Sequence, residues 1–169
     1  MIFDNLLLLV TFFPLLAMAI IALVPAKATA SIKSVALALA LAEFALSVPL
    51  YMGFQVAQAG QLQYELTLPW ITSLGVQFHV GIDGISLLLI MLTTFLLPIV
   101  VLSSWNVTKS LKAYLQMYFL MTVGMIGVFA SQDLVLFYVF WELVLIPMYF
   151  LIGIWGGKRR IYAAMKFFL

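Results

Sequence analysis

Residues 133–160 read DLVLFYVFWELVLIPMYFLIGIWGGKRR, and this stretch decides the fold. An apolar run of more than 20 residues opens on Asp133 and closes on Gly156, Gly157 and then Lys158, Arg159 and Arg160. At about 1.5 Å rise per residue, a helix of this length crosses the ~30 Å hydrocarbon core of a bilayer. One ionisable group interrupts it: Glu142, about 12 Å along the helix from its start. A carboxylate at that depth costs on the order of 2 to 4 kcal/mol, so it marks a functional position and needs water or a partner.

Helical spacing puts Val135, Tyr138, Val139, Leu145, Ile146 and Tyr149 on the Glu142 side of this helix. Pro147 has no N–H for the Leu143 carbonyl, which frees an acceptor near the acid. An acid, two phenols and a loosened backbone suit a short hydrogen-bonded water file. The competing reading makes Glu142 a structural group bonded to an adjacent helix and the tyrosines packing.

Composition places the rest of the chain in the same environment. The 169 residues are 66% hydrophobic and 8% charged, with a mean hydropathy of +1.23, the signature of an integral membrane protein. The net charge of +2 is no nucleic-acid signal, because the basic residues form short clusters between apolar spans. There is no Cys and a single His, so thiolate clusters and bis-histidine haem are excluded and no cofactor or metal is expected.

Five spans are expected. The first covers residues 6–24; Asp4 ahead of it is the wrong charge for a signal peptide, so a retained helix is favoured over cleavage near Lys27. The second, residues 34–54, has Glu43 near its centre and Ser47 one turn on, making Glu43 a second intramembrane carboxylate, read either as functional or as a passive group. Residues 60–82 alternate polar and apolar between glycines and suggest a β-hairpin or irregular extramembrane loop. Within that loop His79 is a solvated or hydrogen-bonded histidine before it is a proton collector.

The third span, residues 84–104, opens on Asp83 as a helix N-cap. Thr93, Thr94 and the Thr94 carbonyl freed by Pro98 line a polar path or, more commonly, bond back to their own helix. The fourth, residues 113–130, has Thr122 as its main polar group, Gly124 and Gly127 for close helix approach, and a Met117, Met121 and Met125 stripe read as packing. The fifth is the opening stretch. The expected organisation is thus 1–59 with two helices, 60–82 as the loop, 83–157 with three helices, and 158–169 as a basic turn and the start of a sixth helix. A sixth span needs about 20 residues, so the chain is expected to be part of a longer protein.

Lys27 and Lys33 lie in the first connection, Lys109 and Lys112 in the third, and the Lys158 cluster in the fifth; the second and fourth have no Lys or Arg. By the positive-inside rule the odd connections are cytoplasmic and the N-terminus, the hairpin-like loop and Asp133 face outward.

With these residues in place, GIDGIS at 81–86, SSW at 103–105, the Phe137 to Gly157 stretch and RIYAAMKFFL at 160–169 make the chain resemble the N-terminal part of the antiporter-like membrane subunits of respiratory complex I, NADH:quinone oxidoreductase, most like the M-type (chain 4) member. The resemblance is weak before Pro69 and strong after it. It implies an all-α, fourteen-helix antiporter-like fold with two inverted five-helix repeats, of which this chain would hold five full transmembrane helices, the start of a sixth and the hairpin-like outer loop. It also implies that Glu142 pairs with a lysine on the seventh helix, beyond Leu169, in a proton half-channel; Lys166 is too close to the basic turn to be that lysine. No family role falls on Glu43.

The function so implied is proton translocation coupled to quinone reduction elsewhere in the complex, with Glu142 as the proton group, Tyr138, Tyr149 and Thr122 as a polar path, and no redox centre in the chain. Other membrane subunits of complex I, protons and the lipid bilayer are the expected partners, in a bacterial cytoplasmic or organellar inner membrane. The rivals are a subunit of a Mrp-type sodium/proton antiporter or membrane-bound hydrogenase, and a structural membrane piece without transport. A site with one acid and no oxygen cage leans toward H⁺ over Na⁺.

Overall fold

The computed structural model describes residues 5–168; Asp4, used above for the signal-peptide argument, lies outside them. Among the described residues, five helices long and apolar enough to cross a membrane form the body: α1 (Leu6–Leu23), α2 (Thr29–Gly53), α3 (Gly84–Ser103), α4 (Leu111–Ala130) and α5 (Leu134–Trp155). A two-stranded hairpin, β1 (Gln63–Ile71) and β2 (Val76–Ile82), separates α2 from α3, and a short α6 (Arg160–Phe168) follows α5.

Local chemistry sets the ends. Val24 adopts extended backbone immediately before Pro25, as the proline ring requires of its predecessor, and α1 stops there. Asp83 accepts from the Ser86 N–H at 2.7 Å to open α3. Asp133 accepts from Val135 and Leu136 at 2.9 and 3.1 Å to open α5. Both satisfy amides that a helix start leaves free.

α4 is the hub: α1, α3 and α5 all pack on it, α2 lies against α1 and α3, and α6 lies against α5. The close approach of α5 is set by the two α4 glycines. A Cβ on Gly127 would fall within the Phe140 ring, and one on Gly124 would sit 2.6 Å from Val144 Cγ2. In lipid, where apolar burial gives helices no preference for one another over acyl chains, such close packing is what holds them together.

The core divides by depth. Leu7, Val10, Leu50, Ile90, Ile126 and Phe140 belong to a cluster at the hairpin end. Ile21, Ile32, Ala36, Leu97, Leu115 and Phe119 belong to a second cluster at the opposite end.

The loop region is a true hairpin, with Leu66 opposite Val80, Thr67 opposite His79 and Leu68 opposite Phe78. Gly75 makes the turn at φ +69°, a conformation that favours glycine. β2 docks on the α4–α5 connection through a Val80–Ser131 bridge. The Gln132 N–H donates to the His79 carbonyl at 2.9 Å, its side-chain amide donates to the Gly81 carbonyl at 3.1 Å, and the Gln77 N–H donates to Asp133 at 3.3 Å.

At the other end three lysines cap helix C-termini on neighbouring elements. Lys112 donates to the Ala22 carbonyl and, at 2.8 Å, to the Val24 carbonyl after α1. Lys33 reaches the Trp105 carbonyl after α3 at 2.6 Å and lies over the Trp105 ring, and Lys109 reaches the Ile154 carbonyl of α5 at 3.1 Å. A cation at a helix C-terminus meets free carbonyls and the negative end of the dipole. Three of the lysines in the basic connections are therefore also the clamps of this end.

Candidate functional site

Glu142 lies eight residues into the 22-residue α5, near the middle of the span. The α4-facing side of α5 is the line of Leu136, Phe140 and Pro147, all buried. Glu142 is on the other side. Of the positions that share its face, Val135, Tyr138, Val139, Ile146 and Tyr149 are exposed, Tyr138 at 59%, and Leu145 is half-buried. Tyr138 lies one turn before Glu142 on α5. Tyr149 is held edge-on by Phe150 and by Phe168 of α6, with ring centroids 5.7 and 5.6 Å away.

Thr122 is buried on α4 and donates to the Tyr118 carbonyl of its own helix at 2.9 Å. Thr122 is thus bonded within α4, Tyr149 is packed against Phe150 and Phe168, and Tyr138 lies one turn before Glu142 on α5. Pro147 is buried within α5.

The second carboxylate has the opposite surroundings. Glu43 is 0% exposed, as are Ser47 and Thr94. The Ser47 and Thr94 hydroxyls meet at 2.8 Å across the α2–α3 contact, and Thr93 donates to the Leu89 carbonyl at 2.8 Å. The sequence places Ser47 beside Glu43 on one helix. It gives no sign that Thr94 is the third member, since that depends on how α2 and α3 pair.

Outside the spans, His79 Nε2 and Glu65 Oε1 are 2.7 Å apart on the hairpin. The histidine is a hydrogen-bonded loop residue. Bonds from the Ser86 backbone and side chain hold the Asp83 carboxyl below its usual range. The Leu136 N–H does the same for Asp133, as expected when a donor favours the charged form.

Two carboxylates at mid-depth in a bundle of five apolar helices, with amphiphilic caps confined to the two ends, define a polytopic integral membrane protein built around intramembrane acids. Residues 6–131 match the family model described as NADH-ubiquinone oxidoreductase chain 4, amino terminus, and residues 131–169 match that of NADH:quinone oxidoreductase/Mrp antiporter, TM. The chain belongs to the NADH-ubiquinone oxidoreductase chain 4 family.

NADH-quinone oxidoreductase subunit M of Rhodobacter capsulatus is 47% identical over 98% of this chain and 33% of its own length. An NAD(P)H-quinone oxidoreductase chain 4 of Picosynechococcus is 45% identical over 93% of this chain and 29% of its own. The chain thus spans about a third of the length of these relatives.

Among solved structures, a chain of respiratory complex I from Thermus thermophilus with bound NADH superposes with a TM-score of 0.77 at 24% identity, over 94% of this chain and 31% of that one. A chain of the Mrp complex from Dietzia follows at 0.72 and 20% identity, over 93% and 17%. These two likenesses are of fold. Both neighbours are parts of multi-subunit membrane complexes.

Proposed function

We propose that the chain is part of a proton-translocating M-type membrane subunit of NADH:quinone oxidoreductase, and that Glu142 is the group that takes up and releases the proton. The observation that carries this reading is the position of Glu142: mid-span, beside a phenol, on a face of α5 that the chain leaves open. An intramembrane acid is stable there only against water or a partner from outside these residues. A cation approaching that face stabilises the carboxylate, and its withdrawal favours proton uptake, so movement of charge elsewhere in the complex becomes proton occupancy here. The chain itself transfers no electrons in this account; quinone reduction takes place in other subunits.

The positive-inside pattern supports a cytoplasmic lysine end and an outward hairpin, in a bacterial cytoplasmic or organellar inner membrane. A subunit of a Mrp-type sodium/proton antiporter is the second reading, favoured by the family description over residues 131–169. The chain 4 match over residues 6–131 supports the first.

The test uses the intact complex carrying Glu142→Gln, which keeps volume and hydrogen-bonding capacity but has no titratable proton. The expected result is an assembled complex with impaired pumping and impaired quinone reduction. Assembled Glu142→Gln complex pumping at the wild-type rate would make Glu142 a structural group. A requirement for Na⁺ in wild-type coupling would favour the antiporter reading.

A further inference from the structure

Glu43 takes no part in the account of Glu142: its helix, α2, packs on α1 and α3, whereas α5 packs on α4 and α6. It lies between the two core clusters, one turn from Ala40 of the lysine-end cluster and two turns from Leu50 of the hairpin-end cluster. Both of its carboxyl oxygens are buried and neither has a hydrogen-bond partner among the described residues. A buried carboxylate without donors or a cation carries a desolvation cost of several kcal/mol, and a group in that position takes up a proton instead.

Among the described residues no cation is at hand. α1 and α3 have no ionisable side chain along their lengths. On α4, Lys112 is bound to the Ala22 and Val24 carbonyls, and Tyr114 and Tyr118 pair with each other at 3.2 Å. Lys33, on α2 itself, is bound to the Trp105 carbonyl.

The neighbouring hydroxyls cannot serve a carboxylate either, because their hydrogens are already claimed. Ser47 donates to the Phe44 carbonyl at 2.7 Å. Thr94 has the Met91 carbonyl at 3.1 Å and the Ser47 oxygen at 2.8 Å as acceptors. Each hydroxyl has one hydrogen to give, so none is left for Glu43.

What the site has in surplus is an acceptor. Pro98 lies within α3, so the Thr94 carbonyl lacks the N–H that would normally close that turn. α2 and α3 are antiparallel, with Ser47 against Thr94 and the Phe44 ring edge-on to Phe95 at 5.6 Å. One turn back along α2 from Ser47 is Glu43; one turn forward along α3 from Thr94 is Pro98, the direction in which the Thr94 carbonyl points. A neutral carboxylic acid is a donor and fits this surplus, and an ionised carboxylate does not.

We propose that Glu43 is a closed proton-binding site, distinct from Glu142, in which the acid holds one proton and donates it to the Thr94 carbonyl that Pro98 leaves free. Losing that proton would require water to enter between α2 and α3 at the Ser47–Thr94 pair, so the closed interface and the bound proton depend on each other.

Infrared spectroscopy of the intact complex, wild type against Glu43→Gln, tests this. The expected difference is loss of a protonated-carboxyl C=O band that is constant from neutral to mildly alkaline pH and slow to shift in deuterium oxide. Loss of carboxylate bands instead would overturn the proposal and mean that Glu43 is ionised and paired by another part of the complex. Pro98→Ala, which returns an N–H to the Thr94 carbonyl, keeps the question open to test if Glu43→Gln does not assemble. It should move the same band toward a weaker hydrogen bond, and an unmoved band would remove the Thr94 carbonyl as the acceptor and overturn the assignment.

Discussion

Asp83 does at one residue what the hairpin and α3 need jointly: it accepts the Ser86 N–H where the strand ends and the helix begins. Replacing it with Ala leaves that amide unsatisfied, at a cost of about 1 kcal/mol, whereas Asn still caps. Because the Asp83 carboxyl is held below its usual range, its charge stabilises the fold above the unfolded carboxylate range and that contribution is lost as pH falls through the lowered value. Hydrogen exchange at the Ser86 amide in the assembled complex should speed up for Asp83→Ala at neutral pH and little for Asp83→Asn. Equal protection in all three would show that the cap contributes nothing.

This cap is legible in the sequence because capping is local, as is the bonding of Thr93 and Thr94 back to their own helix. The Glu43 surroundings are not. Ser47 follows from helical period, but Thr94 arrives through the pairing of α2 with α3, and in lipid that pairing depends on packing shape, which apolar sequences such as VALALALA do not encode in any readable period.

Among the elements, α4 and α5 have the closest fit. Gly127→Ala places a methyl in the volume of the Phe140 ring, and overpacking of this kind costs about 1 to 3 kcal/mol. The thermal midpoint of the complex should fall for Gly127→Ala and recover in part when Phe140→Leu is added. An unchanged midpoint for the single variant would contradict the tight α4–α5 contact. The glycines announced this approach in the sequence, but the identity of the ring opposite them required the structure.

The hairpin, expected as either a hairpin or an irregular loop, pairs antiparallel with register shifts between Gln63 and Leu66 and between Pro69 and Ile71, and β2 also bonds to the α4–α5 connection, a contact between residues 77–81 and 131–133 that alternation alone cannot show. Its tip supplies the topology test. In membranes of known orientation, Cys at Ser73 should react with an impermeant reagent from outside and Cys at Thr108, beside Lys109, only from the cytoplasmic side. The reverse pattern would invert the assignment.

At the scale of the whole molecule, the two acids have different surroundings. Glu43 is enclosed where α2 meets α3, and Glu142 lies on the side of α5 turned away from its α4-facing line of Leu136, Phe140 and Pro147. The sequence singled out both by one rule, the expense of a charge in hydrocarbon. Only the arrangement of helices separates them, into an acid that the chain encloses by itself and an acid on a face of α5 whose neighbouring side chains are mostly exposed.

That contrast is the basis for assigning transport to Glu142, and one measurement tests it most directly: protons translocated per quinone reduced, in proteoliposomes of the purified complex. Glu142→Asp, which keeps the titratable group and withdraws it by about 1.5 Å, should retain much of the wild-type rate and ratio. Glu142→Gln should lose both translocation and turnover. A Glu142→Gln complex with the wild-type ratio at the wild-type rate would contradict the account.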